Sequence, residues 1–178
     1  MRSYCASRAI PATPERAWEL ISDTGLYPVW VAHTVAMLSV DGAADIGVTY
    51  RERSRILGPL AWTTHWTVTE YLPLVRQVHH GTGLPFVTDL SIEFDLIPEQ
   101  DRRTTTVGFT ISFMPTSAVL GRLFGGLAAT VLRERQRRSL DMLAHMAGGH
   151  PAETSLTSGA TNPLPVDADH GPSAPART

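Results

Sequence analysis

The chain has 178 residues, 43% of them hydrophobic, and a formal net charge of −2. This length allows one sizeable core. The balanced charge excludes the strongly basic surface of a nucleic-acid-binding protein, so no nucleic-acid partner is expected. Cys5 is the single cysteine and lysine does not occur, which excludes an internal disulfide and Schiff-base catalysis by lysine.

The first residues predict a strand, Ser3–Ile10, rather than a secretory signal. A later apolar stretch, Leu120–Leu132, is interrupted by Arg122 and is shorter than the roughly 20 residues that cross a bilayer. We therefore expect a cytoplasmic protein without a transmembrane segment.

A short helix is predicted after the first strand. Thr13 suits the cap position and Pro14 the first helical position. Arg16 stands where a capping box needs glutamate or glutamine, so no box forms. The helix ends at Asp23, and Tyr27–Trp30 predicts a corner followed by a second short turn of helix.

This arrangement resembles the START-like (SRPBCC) superfamily, in particular its polyketide cyclase/dehydrase and lipid-transport branch. The matching residues are Pro14, Trp18, Asp23, Tyr27, Pro28 and Trp30. The resemblance covers about 3–147. It implies a long curved sheet after two short helices, with a ligand cavity between the sheet and a C-terminal helix.

The strands are predicted from alternation of apolar and polar residues and from turn residues such as Gly58-Pro59. They are Ser3–Ile10, Val35–Val40, Val48–Leu57, Leu60–Leu72, Val75–His80, Leu90–Leu96 and Thr105–Phe113. A long helix is predicted from Thr116 or Ser117 to about Ala147. Within it, Gly121, Gly125 and Gly126 each weaken the helix by up to about 1 kcal/mol relative to alanine.

The order of these elements predicts an α+β fold: a curved antiparallel sheet of about seven strands wrapped around a long C-terminal helix. This is the helix-grip architecture that the resemblance implies, in one ligand-binding domain at 1–147. Proline, glycine, alanine, serine and threonine dominate 148–178 without periodicity, so we expect a disordered tail there.

Alternation also assigns the faces of the strands. Arg51 and Arg53 belong on the hydrated face, which places Tyr50 and Glu52 on the face toward the helix. The residues predicted to contact a ligand are Trp30, His33, Tyr50, Glu52, Trp62, Thr64, Trp66, His79, Phe94, Phe109, Phe113, Phe124 and Leu127.

Three of these residues are candidates for moving protons: Glu52, His79 and Tyr50. Glu52 is either a polar anchor or base with a raised pKa, or a carboxylate near the open end of the sheet in water or paired with an arginine. A two-residue turn at Pro73-Leu74 places His79 opposite Val68, whereas a turn one residue different selects His80.

No metal-ligand spacing, phosphate loop or dinucleotide fingerprint occurs in the sequence. We therefore expect neither a metal nor a cofactor. The oligomeric state stays open.

Three functions fit these patterns. The first is binding of an apolar small molecule such as a lipid, quinone or polyketide-like molecule. The second, implied by the resemblance, is a polyketide cyclase, aromatase or dehydratase that uses the same cavity. The third, also implied by relatives, is a toxin-like or regulatory protein that binds a partner through the arginines of 133–138.

Overall fold

The structure is a computed structural model that describes residues 1–56, 59–101, 103–124 and 127–149, with the backbone alone at 120, 123, 124, 127 and 128. Its helices and strands follow the predicted order. They are β1 (Arg2–Ile10), α1 (Pro14–Ser22), a 3-10 turn (Thr24–Leu26), α2 (Tyr27–Trp30), β2 (Thr34–Val40), β3 (Thr49–Ser54), β4 (Trp62–Leu72), β5 (Arg76–Thr82), β6 (Val87–Pro98), β7 (Thr105–Pro115), α3 (Ala118–Phe124) and α4 (Leu127–Gly148).

Within the described residues, seven strands form one antiparallel sheet in the order β1-β7-β6-β5-β4-β3-β2. The core lies between this sheet and the helices. Gln136 attaches α4 to the sheet, because its side-chain amide donates to the carbonyl oxygens of Tyr4, at 2.6 Å, and Phe109, at 3.1 Å. The predicted α+β helix-grip fold is confirmed.

The first helices form as the sequence predicts. The Thr13 hydroxyl accepts from the Arg16 amide at 3.3 Å, and α1 begins at Pro14. At the other end, the Asp23 carboxylate accepts from the Gly25 amide at 3.0 Å and starts the 3-10 turn. The rings of Tyr27 and Trp30 then pack edge to face at 5.4 Å inside the core.

The predicted C-terminal helix is described in two parts, α3 and α4. Gly125 and Gly126 lie between them, outside the described residues. The helix α4 ends at Gly148, one residue beyond the predicted end.

The predicted tail falls almost entirely on 150–178, which lie outside the described residues, so its disorder stays a prediction. Among the helices that the structure describes, none is both long enough and apolar enough to cross a membrane.

Candidate functional site

The candidate site lies on the inner face of β3, β4 and β5. Tyr50, Glu52 and Ser54 are buried there, whereas Arg51 and Arg53 between them are exposed. Successive side chains of a strand point to opposite faces, and solvation of the arginines selects which face is which. The structure therefore places Tyr50 and Glu52 on the inner face of β3, as the sequence predicts.

Glu52 lies inside the core, with 2% of its surface exposed. Its carboxylate accepts hydrogen bonds from the Thr34 hydroxyl at 2.7 Å, the Trp66 indole at 3.0 Å and the Thr64 hydroxyl at 3.3 Å. The alternative of a hydrated or arginine-paired carboxylate at the sheet end is wrong. Burial raises the pKa of Glu52, and the three hydrogen bonds, which favour the ionised form, oppose that rise.

His79, and not His80, faces inward opposite Val68. The route to this register differs from the expected one, because the turn after β4 has three residues, Pro73–Val75, with Leu74 at a φ of 65°. An irregularity at Thr69 adds one residue to β4 and compensates for the longer turn. Two deviations of one residue each therefore cancel.

The Tyr50 hydroxyl lies 2.9 Å from His79 Nδ1, and His79 Nε2 lies 3.2 Å from Gln77 Oε1. When Gln77 accepts from Nε2, the Nδ1 atom accepts from Tyr50. Burial lowers the pKa of His79 to about 3 and raises the pKa of Tyr50. At neutral pH this pair therefore consists of an uncharged imidazole and a protonated phenol. It can donate and accept hydrogen bonds, but it holds no proton ready for acid catalysis.

Aromatic rings fill the space between this polar row and α4. Trp30 packs on Phe94 at 5.5 Å, and Phe94 packs on Phe109 at 4.7 Å between ring centroids. The ring of His33 lies 6.1 Å from Phe109. Burial first, and then the charge of Arg135, lower the pKa of His33 to about 3. A ligand in this region would have to separate these rings.

The structure brings together most of the predicted ligand residues on one inner face, with Phe113 and Trp62 toward one end of the sheet. Phe113 packs on Tyr4 at 5.8 Å. Trp62 lies at the end of the sheet, with its ring 5.9 Å from that of Phe86. The side chains of Phe124 and Leu127 lie outside the described residues.

Three residues of this interior were missed in the sequence. Gln77 shares a face with His79 and follows from alternation once His79 is chosen. Tyr27 donates to the Ile21 carbonyl at 3.1 Å and contacts the ring of Tyr50 at 5.7 Å, although the sequence suggested only a corner there. Thr34 precedes the predicted second strand, and no sequence pattern marks it as a partner of Glu52.

Gly81 makes room for Trp66. The predicted strand ends at His80, but β5 continues to Thr82 and pairs Gly81 with Trp66. A Cβ at Gly81 would lie 2.5 to 2.8 Å from three carbons of the Trp66 ring. Those distances are too short for contact, so any larger residue must displace the indole that donates to Glu52.

We expect Gly81→Ala to lower the free energy of unfolding by about 1–3 kcal/mol, the usual cost of overpacking. Gly121→Ala is the matched control, because its Cβ would meet only Pro115 at 4.0 Å. It lies in α3, where alanine favours the helix by up to about 1 kcal/mol. Urea unfolding measures both variants, and equal stability of the two would contradict the packing argument.

The arginines of α4 do not form one surface. Arg133, Arg137 and Arg138 are exposed, whereas half-buried Arg135 turns toward the sheet and donates to the Ile56 carbonyl at 3.3 Å. Burial first, and then the nearby charge of Arg55, lower the pKa of Arg135. A partner that contacts all four arginines at once does not fit this arrangement.

Among the described residues, no three histidine, cysteine, aspartate or glutamate side chains converge as a metal site would require. A surface groove of about 590 Å³ lies on the outer face of the sheet, lined by residues such as Cys5, Val75 and Ile97. It contains none of the predicted ligand residues.

The fold and the interior define a helix-grip protein with an aromatic inner face that carries a few hydrogen-bonding groups. Residues 1–148 match the family described as polyketide cyclase/dehydrase and lipid transport, and the chain belongs to this family. The predicted membership is confirmed. A comparison with curated proteins gave no match.

Several solved structures are similar over most of the chain. The protein TTHA0849 from Thermus thermophilus is 21% identical, with a TM-score of 0.64 over 84% of this chain and 100% of that chain. A START superfamily protein from Mycobacterium smegmatis is 17% identical, with a TM-score of 0.64 over 81% and 97%. DynU16, a protein of the dynemicin biosynthetic locus, is 14% identical, with a TM-score of 0.59 over 83% and 47%. At these identities the likeness shows the fold.

Proposed function

We propose that this protein binds an apolar small molecule, such as a lipid, a quinone or a polyketide-like molecule, between the inner face of the sheet and α4. The composition of that face carries the proposal. Aromatic rings, among them Trp30, Phe94 and Phe109, surround a short row of hydrogen-bonding groups. Ligand pockets are usually built in this way, with apolar walls and a few polar groups that orient the ligand.

An apolar rim at one end of the sheet supports an entry route. We use that name for Leu60, Trp62, Phe86 and Val119. Leu60 is 64% exposed, Phe86 43% and Val119 68%. The Thr116 amide donates to the Phe86 carbonyl at 3.1 Å, which holds the start of α3 beside this rim. Exposed apolar side chains grouped at one edge often mark a ligand entrance.

The catalytic alternative has less support from the geometry. His79 is uncharged at neutral pH, because burial lowers its pKa to about 3. Glu52 is already engaged by three donors. Neither group is placed to exchange protons with a substrate in the described conformation. The regulatory alternative has less support still, since Arg135 turns toward the sheet and does not share an exposed surface with Arg133, Arg137 and Arg138.

The proposal is tested by titrating the protein with oleate, menadione and 9-fluorenone while following tryptophan fluorescence. We expect a saturable response to at least one of them, because Trp30 and Trp66 lie in the proposed site. A folded protein that responds to none of the three would contradict the proposal.

Phe86→Glu and Leu72→Glu form a matched pair for locating the entrance. Phe86 is 43% exposed in the apolar rim, and Leu72 is 49% exposed at the opposite end of β4. We expect Phe86→Glu to weaken binding about tenfold, because a charge in the rim removes an apolar contact worth about 1.4 kcal/mol. Leu72→Glu should leave binding unchanged. Equal effects of the two variants would place the entrance elsewhere.

A further inference from the structure

Two hydrogen-bond donors inside the aromatic region have no partner among the described residues: the indole Nε1 of Trp30 and the side-chain nitrogen of Gln77. Both side chains are fully buried. A buried donor without an acceptor is unfavourable and uncommon in folded proteins. Two of them in one region therefore need a physical explanation.

Both donors lie beside Phe94. The Trp30 ring packs on Phe94 at 5.5 Å, and Gln77 is directly opposite Phe94 in the ladder between β5 and β6. His79 lies 3.2 Å from the oxygen of the Gln77 amide, which leaves the amide nitrogen for another acceptor. Tryptophan has only a donor to offer. The two donors beside Phe94 thus lack an acceptor. The buried oxygen of the Gln136 amide, whose nitrogen donates to the Phe109 carbonyl, bonds to neither of them.

The charge of the interior limits which acceptor fits. The ionised form of Glu52 raises the pKa values of Tyr27 and Tyr50, in each case after the larger effect of burial. A negative charge on either phenol is thus disfavoured in this interior, first of all by burial. Among the described residues that are buried, no arginine is present, and the chain has no lysine. Half-buried Arg135, whose charge lowers the pKa of His33, already donates to the Ile56 carbonyl. A ligand carboxylate here would therefore lose its hydration without a fully buried cation to pair with.

Resting on the proposed function, we infer that this interior selects a neutral flat ligand with a carbonyl oxygen, such as a ketone or a quinone. The carbonyl oxygen accepts from Trp30 Nε1 or from the Gln77 amide nitrogen beside Phe94. A fatty acid whose carboxylate must enter this region is disfavoured.

The test compares three ligands of nearly one shape: fluorene, 9-fluorenone and fluorene-2-carboxylate. Titration calorimetry is suitable because it does not depend on the tryptophan that one variant removes. We expect 9-fluorenone to bind about 3- to 10-fold more tightly than fluorene, the value of one neutral hydrogen bond. We expect fluorene-2-carboxylate to bind most weakly.

Trp30→Phe and Gln77→Leu each remove one donor. In both variants an apolar side chain stands in its place. We expect the preference for 9-fluorenone over fluorene to disappear in at least one of them. Ser22→Ala is the matched control, because its hydroxyl is also buried without a partner but lies on α1, outside the aromatic contacts of Phe94. It should keep the preference.

The outcomes separate the two proposals. Three results would overturn this inference and leave the proposed binding function standing. They are equal binding of fluorene and 9-fluorenone, tightest binding of fluorene-2-carboxylate, and an unchanged preference for 9-fluorenone in both donor variants. If none of the three ligands binds the folded wild-type protein, both this inference and the binding of flat ligands are overturned. Titration with oleate and menadione then decides whether the protein binds apolar small molecules at all. If Trp30→Phe does not fold, Gln77→Leu and the wild-type series decide.

Discussion

The free energy of unfolding is expected to fall steeply as the pH is lowered from 6.5, because two buried histidines stay neutral in the folded state. His33 and His79 are almost fully buried, and burial lowers the pKa of each from 6.5 to about 3. Below pH 6.5 the unfolded chain takes up protons that the folded protein does not. The stabilisation from the neutral histidines is therefore complete above pH 6.5 and is lost toward pH 3.

The size of this effect follows from the displacement of the pKa values. Below pH 6.5, each histidine lowers the free energy of unfolding by about 1.4 kcal/mol per pH unit. By pH 3.5 the loss is roughly 4 kcal/mol for each histidine. A domain of this size has a total stability of about 5–15 kcal/mol. We therefore expect acid unfolding with a midpoint above pH 4, measured by circular dichroism and by urea unfolding at several pH values.

His33→Gln and His79→Gln should each remove about half of the slope between pH 6 and pH 4. His80→Gln is the control, because His80 neighbours His79 on β5 and its exposed side chain is hydrated in both states. An acid-unfolding curve that is the same in all three variants and in the wild type would contradict the assignment.

Replacement of Glu52 by alanine is expected to destabilise the protein by about 2–4 kcal/mol at pH 5. The change leaves the Thr34 hydroxyl without its buried acceptor, leaves the Trp66 indole with only the Thr64 hydroxyl at 3.1 Å, and adds a cavity. Glu52→Gln is the conservative variant. Its amide oxygen can accept from Trp66, and its nitrogen can donate to the hydroxyl of Thr34 or Thr64, so we expect a loss below about 1 kcal/mol.

The pH dependence of Glu52 has the opposite sign to that of the histidines. Burial raises the pKa of Glu52 above 4.5 in the folded state. Its favourable contribution is complete below pH 4.5 and is lost as the pH rises through the raised pKa. The stability of the wild type relative to Glu52→Gln should therefore decrease from pH 4.5 upward. A difference that stays constant or grows with pH, in urea unfolding from pH 4.5 to 8, would show that Glu52 is not destabilised by burial.

The alternating strands made much of the fold and part of the site predictable. In β7, alternation from Val107 to Phe113 leaves one apolar and one polar face, and only the apolar face can be buried without losing hydrogen bonds to water. The same reasoning placed Glu52 and Tyr50 inside from the arginines beside them. Trp66 reaches Glu52 across the regular pairing of β3 with β4. The Thr34 partner was not predictable, because the pairing of β2 with β3 contains irregularities that no sequence pattern marks.

The sequence by itself determined the element order, the inner and outer faces of the strands and the short helices between Pro14 and Trp30. These features depend on local propensity and on the period of the apolar residues, which are properties of neighbours along the chain. The tertiary structure alone decided that His79 and not His80 is buried, that Gly81 lies under Trp66 and that two donors beside Phe94 lack partners. Each of these depends on register and on contacts across strands, and a shift of one residue in one turn reverses which side chains face the interior.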